Sequence, residues 1–286
     1  MRNVLVATAL ASLCVSSLAA QWLDYPTPGV PRTRDGKPRL DARAPQAADG
    51  HPDLTGVWMH EVTTAEELKR LFGAPVEDEA RVDIPGMEIG TQHKYGFDVL
   101  VDFTPENSPM RPGTADRLKR KLAAPSNKDL CDPPGAVVGF PLAGLLSEPI
   151  KIVQAPRITI VLYEYGNGHR QIFADGRSLP REVNLPAYLG YSVGRWDRDT
   201  FVVETAGFND RTVLDAIGHE HSDRLHITER FRRRDFGHLD VEMTFDDPVM
   251  YTRPFTIRIP HTLLADQEIF EMYAENEKDC ARIAAN

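Results

Sequence analysis

The spacing of apolar residues changes at Pro149. Downstream of it, apolar and polar residues alternate with a period of two, the pattern of strands that bury one face. Runs from Arg157 to Tyr165 and from His169 to Phe173 flank a Gly-Asn-Gly turn, which predicts a hairpin. A second hairpin turns at Asp197 to Asp199. A polar loop, Asn209 to Asp223, then leads to two strands around a turn at Asp235 to Gly237. "YTRPFTIRIPHTLL" and "EIFEMYAEN" add two more, separated by Ala265 to Glu268. Upstream, "PDLTGVWM" reads as a first strand. Thr64 to Phe72 reads as a helix, with Thr64 as N-cap, Glu67 at the capping-box position and Gly73 as stop. Thr114 to Leu122, between Gly113 and Pro125, reads as another. Residues 21–51 are rich in Pro, Arg, Asp and Ala and carry no period, which predicts an irregular arm. The expected architecture is mainly β. It is a single domain over 52–286, an antiparallel barrel of about eight strands with short helices inserted between 60 and 148.

Alternation also predicts which side chains point inward. Glu229 shares a face with Leu225, Ile227 and Phe231, and Arg253 shares one with Tyr251, Phe255, Ile257 and Ile259. A carboxylate and a guanidinium set in apolar rows invite pairing, either as a ligand-orienting site or as a structural ion pair in the barrel wall. Trp58 and Trp196 are expected to plug the barrel, and the arginines of "RFRRRDF" to form a solvated strand edge.

Composition narrows the function classes. The chain has 286 residues, 33 basic against 42 acidic, and a net charge of −9, so no basic field attracts nucleic acid. Arg2, the apolar run from Val4 to Val15 and the small residues ending at Ala20 form the tripartite pattern of a secretory signal over residues 1–20. That run is shorter than the roughly 20 apolar residues of a membrane span. The expected location is periplasmic or secreted, with no stable span after cleavage. Cys14 lies in the signal, leaving Cys131 and Cys280 as a candidate disulfide in a compartment that permits one.

The candidate chemistry sits in "FNDRTVLDAIGHEHSD". It gathers Asn209, Asp210, Asp215, His219 and His221, with Gly218 freeing the backbone before the histidines. Histidines two apart on extended backbone point the same way, so His219 and His221 can present two imidazoles to one divalent metal, with Asp215 or Glu229 adding oxygen. The metal-free alternative, slightly favoured and needing no cofactor, uses one histidine as general acid or base oriented by Asp215 or Asp210. The chain lacks HExxH and G-x-S-x-G, which removes the zincin and esterase-elbow readings.

"PDLTGVW", "CDPPG", "PIKIVQ", "LYEYGNGHRQIFADGR", "GYSVGRWDRDTFVVETAGFND" and "GHEHSDRLHITERFRRRDFGHLDVEMTFDDPVMYTRPF" resemble a large family of exported bacterial proteins, a resemblance that brings no activity with it. The "LTGVW" opening is more loosely similar to lipocalin-like (calycin) barrels, which implies an interior cup for a small molecule. The leading expectation is an acid–base enzyme, a lyase, isomerase or hydrolase, acting on a small polar organic molecule. In it His219, His221, Asp215 and Glu229 do the chemistry, and Arg253, Tyr251, Asn209 and Asp210 bind substrate. The rival expectation is a non-catalytic carrier of lipocalin-like type, and an envelope scaffold without a ligand is the third.

Overall fold

A computed structural model describes residues 27–72, 93–123, 149–164, 168–180, 185–215 and 217–270. Cys131 and Cys280, the proposed signal and most of the strand expected at "EIFEMYAEN" lie outside the described residues.

Nine strands close into one barrel, each hydrogen-bonded to the next and the last to the first. They are β1 (Gly56–His60), β2 (Ile150–Ala155), β3 (Ile158–Tyr163), β4 (His169–Phe173), β5 (Tyr191–Asp197), β6 (Thr200–Ala206), β7 (His226–Arg233), β8 (His238–Asp246) and β9 (Phe255–Leu263). Among the described residues the helices are α1 (Ala65–Phe72), α2 (Lys94–Phe97) and α3 (Pro112–Ala123). β2 is a strand of its own because Pro156 and Arg157 reverse the chain, pairing Ala155 with Ile158, whereas the run expected from sequence began only at Arg157 and left this strand out.

The barrel is mixed rather than wholly antiparallel, and its strand number requires this. In a closed ring of nine strands, directions cannot alternate all the way round, so at least one adjacent pair must be parallel. That pair is β4 and β5, joined only at Ile172↔Ser192 and Phe173↔Val193. A parallel neighbour needs a long connection, and residues 174–190 supply it.

The alternation on β7 and β8 is as expected: Ile227, Glu229, Phe231, Leu239, Val241, Met243 and Phe245 are all buried. It fails at Arg253. β9 begins only at Phe255, after a bend through Thr252 and Arg253 into Pro254, so Arg253 is exposed and bonds the Asn107 carbonyl at 2.7 Å. Arg233 departs the other way. It is buried, stacks over Trp58 and Phe236, and donates to the carbonyls of Asp53, Thr55, Asp235 and Phe236. Burial lowers its pKa to about 10, so this arginine belongs to the plug and not to a solvated edge.

The arm closes the barrel end formed by the β2–β3, β5–β6 and β7–β8 turns. Phe236 and Gly237 donate to the carbonyls of Ala42 and Leu40, and Arg32 pairs with Asp266. His51 stacks on Trp196 at 4.7 Å. Glycine is needed where backbones meet: a Cβ on Gly237 would lie 2.3 Å from the Leu40 Cβ. Inside the barrel the same holds at Gly194, where a Cβ would lie 2.3 Å from the Phe201 ring and 3.0 Å from Ile172. Gly194→Ala is therefore expected to lose about 1–3 kcal/mol to overpacking. Urea unfolding measures this, and an unchanged midpoint would contradict the packing described.

Candidate functional site

The opposite end of the barrel carries the β1–β2, β6–β7 and β8–β9 connections, and the polar loop roofs it. The loop folds on itself as a short ladder, with Val213 bridging Glu220 and Leu214 N–H donating to the His219 carbonyl at 2.7 Å. Gly218 permits the reversal with φ +95°. Asp215 fixes the turn from within. Its Oδ1 accepts the amides of Gly218 and His219, each at 3.0 Å. Its Oδ2 accepts the Val99 amide at 2.8 Å and His219 Nδ1 at 2.5 Å. Asp98, just after α2, brings a second carboxylate to 3.8 Å from the same Nδ1. Burial pushes the Asp98 carboxyl up, against the opposing pull of His219.

His221 belongs to a separate network. Its Nδ1 lies 3.1 Å from the Ser222 carbonyl and its Nε2 lies 2.7 Å from Thr212 Oγ1. A carbonyl can only accept, so Nδ1 carries the proton and Nε2 offers a lone pair to the Thr212 hydroxyl, which donates. Burial holds His221 below the usual imidazole range. Ser222 is anchored in turn by Asp247, which accepts its amide at 2.6 Å and its hydroxyl at 2.9 Å. Thr212 and His221 border an open cleft of about 290 Å³, which is also lined by Asp210, Arg211, Val213, Glu220 and Met250.

The structure thus gathers part of the predicted set and separates the rest. Asp215 and His219 meet as expected. His219 and His221 do not share a site: among the described residues, the donors that converge with His219 within 4.8 Å are Asp98 and Asp215. Asp210 is at the cleft, whereas Asn209 accepts the Arg211 amide at 3.1 Å and serves the turn. Tyr251 is buried beneath the loop, its hydroxyl donating to the Glu220 carbonyl at 2.9 Å.

Glu229 is inside the barrel as expected, but its partner is not Arg253. Arg170 on β4 meets it in a two-pronged ion pair, one prong Nη1 to Oε1 at 2.9 Å. Arg170 also donates to Ser192 Oγ at 2.9 Å and to Thr205 Oγ1 at 2.6 Å. The phenol of Tyr163 lies buried beside this pair, and burial pushes its pKa up to about 12. The network ties β4 to β5, β6 and β7 across the sparsely paired parallel seam. Sequence reasoning passed over Arg170, although its alternation with Ile172 marks it as inward. It also passed over Asp98, which has no local signal, and over Thr212.

No protein-family model, no curated protein and no solved structure matches the chain.

Proposed function

We propose that the protein is an exported acid–base enzyme, a hydrolase that handles a small polar organic molecule in the cleft beside the polar loop. The observation that carries this reading is the hydrogen-bond chain from Thr212 Oγ1 to His221 Nε2, with His221 Nδ1 held by the Ser222 carbonyl. This is an activated-hydroxyl arrangement: a base within hydrogen-bond reach of a nucleophile, and a third group that fixes the base's tautomer. As Thr212 Oγ1 bonds to an electrophilic carbon of the substrate, its proton passes to Nε2. Nε2 then returns that proton to the leaving group, and water releases the bound fragment by the same route.

The carrier alternative would place its ligand in the barrel interior. That space is occupied by buried side chains, among them Trp58, Phe201, Phe231 and Met243, and by the Arg170–Glu229 pair.

A fluorophosphonate probe, which reacts with activated hydroxyls, tests the reading without a known substrate. Intact-mass and peptide analysis are expected to place one adduct on Thr212. Thr212→Val, which removes the hydroxyl at similar volume, should abolish labelling. His221→Ala should slow labelling by roughly 10²–10⁴-fold, the usual worth of a general base. Its melting temperature should remain close to wild type. Wild-type protein that stays unlabelled, or labels equally well without His221, would overturn the proposal.

A further inference from the structure

The Asp98, Asp215 and His219 cluster has no role in the hydroxyl chemistry just described, and its charges do not balance. Two carboxylates converge on one imidazole nitrogen, at 2.5 and 3.8 Å. Among the described residues no lysine or arginine forms an ion pair with either carboxylate. Burial first, and then the charges of Asp215 and Asp98 among others, raise the pKa of the adjacent Tyr251 phenol. Buried anionic charge of this kind calls for a cation.

We propose that Asp98, Asp215 and His219 form a binding site for one divalent transition-metal ion at the mouth of the barrel. The three donor atoms already lie within 4.8 Å of one another. Metal–nitrogen and metal–oxygen bonds near 2.0–2.2 Å place the donors of a tetrahedral ion roughly 3–3.5 Å apart. The observed 2.5 and 3.8 Å fall on either side of that spacing, so sub-ångström side-chain shifts bring those two contacts into range. One imidazole with two carboxylates suits zinc, manganese or ferrous iron, whereas calcium and magnesium favour oxygen alone.

The hydrogen bonds that would hold these ligands in place are already made. Asp215 keeps its bonds to the amides of Val99, Gly218 and His219 when the ion displaces the proton between Oδ2 and Nδ1. That proton moves to Nε2, leaving a neutral imidazole. Burial grades from one side to the other: the Asp215 and His219 side chains are 0% and 3% exposed and that of Asp98 is 25%. Asp98 is therefore on the side of entry, where water can complete the coordination.

The site is independent of the Thr212–His221 reading, and the test separates the two. Full-length protein is stripped with chelator and then titrated with Zn²⁺, Mn²⁺ or Co²⁺. Calorimetry, elemental analysis after dialysis and, for Co²⁺, visible absorption serve as readouts. Wild type should retain one equivalent, and its melting temperature should rise with the ion. Asp98→Asn, a change at the partly exposed ligand that the fold can absorb, should weaken binding by at least the roughly 10–100-fold that even a supporting group commands. His219→Gln should do the same, whereas His221→Ala should bind as wild type. Failure of the wild type to hold a stoichiometric ion would overturn the proposal. So would equal binding by Asp98→Asn, or loss of binding on His221→Ala.

Discussion

Glu229→Gln is expected to destabilise the protein by about 3–5 kcal/mol, the cost of leaving a buried charge without its partner. The Arg170 and Glu229 side chains are 3% and 1% exposed, so water cannot solvate the abandoned guanidinium. Burial lowers the Arg170 pKa and the pull of Glu229 more than offsets it. With that pull gone the guanidinium still keeps its proton, because arginine is too basic to be neutralised in a protein, and the charge persists in the variant. For a chain of this size the loss corresponds to a fall of roughly 6–20 °C in melting temperature. Arg170→Met should cost a similar amount by stranding the carboxylate. The double variant Arg170→Met/Glu229→Leu should recover most of the loss, because apolar pairs commonly replace buried ion pairs without penalty. Ser192 and Thr205, which would lose Arg170, already lie 3.0 Å apart and can bond each other. A double-mutant cycle by urea unfolding measures these terms. Single variants within 1 kcal/mol of wild type would show that the pair does not staple the parallel seam.

The second large effect is acid sensitivity. His60 on β1 and His261 on β9 face each other across the strand pair that closes the barrel, and His93 caps α2 beside them. Ring centres lie 5.9 Å apart for His60 and His93 and 6.5 Å for His60 and His261. Burial first, then mutual repulsion with His60, lowers His93 and His261 to about 3. His60 is lowered by burial and its Nε2 has no hydrogen-bond partner. Among the charged neighbours, Lys94 opposes protonation of His93 and Asp102 weakly favours it.

The sign follows from linkage. The folded-state pKa values are depressed, so the stability from burying neutral rings is complete above the unfolded value of 6.5 and is lost as pH falls toward 3. Each of His93 and His261 removes roughly 1.4 kcal/mol per pH unit within that window, or about 3 kcal/mol per unit for the two, and His60 acts in the same direction. The partnered carboxylates, such as Glu67 with its pKa lowered to about 2, begin to contribute only below the unfolded carboxyl values near 4. Between pH 6.5 and 4.5 the histidines therefore dominate. Urea midpoints should drop steeply over that range, and His261→Phe should flatten the slope by about one histidine's share. A flat profile from pH 7 to 4.5 would contradict the burial of neutral rings at the seam.

Local pattern made much of this protein readable. The sequence pattern located eight of the nine strands, all but Ile150–Ala155, although it started the last of them too early, and it aimed Glu229 inward. Turn chemistry predicted the hairpins, and the density of polar groups in residues 209–223 drew attention to the loop in which His219 meets Asp215 and His221 meets Thr212. The errors share a cause. Alternation was carried through Pro254 to Arg253, where the backbone is no longer extended, and it cannot say which inward charge meets which.

The sequence by itself determined a mainly β domain, a polar loop before β7 and an inward carboxylate at Glu229, because strand periodicity and turn residues act over a few neighbours. Tertiary structure alone decided that Arg170 answers Glu229 from 59 positions away and that Asp98 joins Asp215 from more than a hundred. It alone made the strand count odd, forcing a parallel seam, and it alone gave His219 and His221 different partners. These outcomes depend on how distant segments are brought together when the barrel closes, and no local pattern encodes which of them will touch.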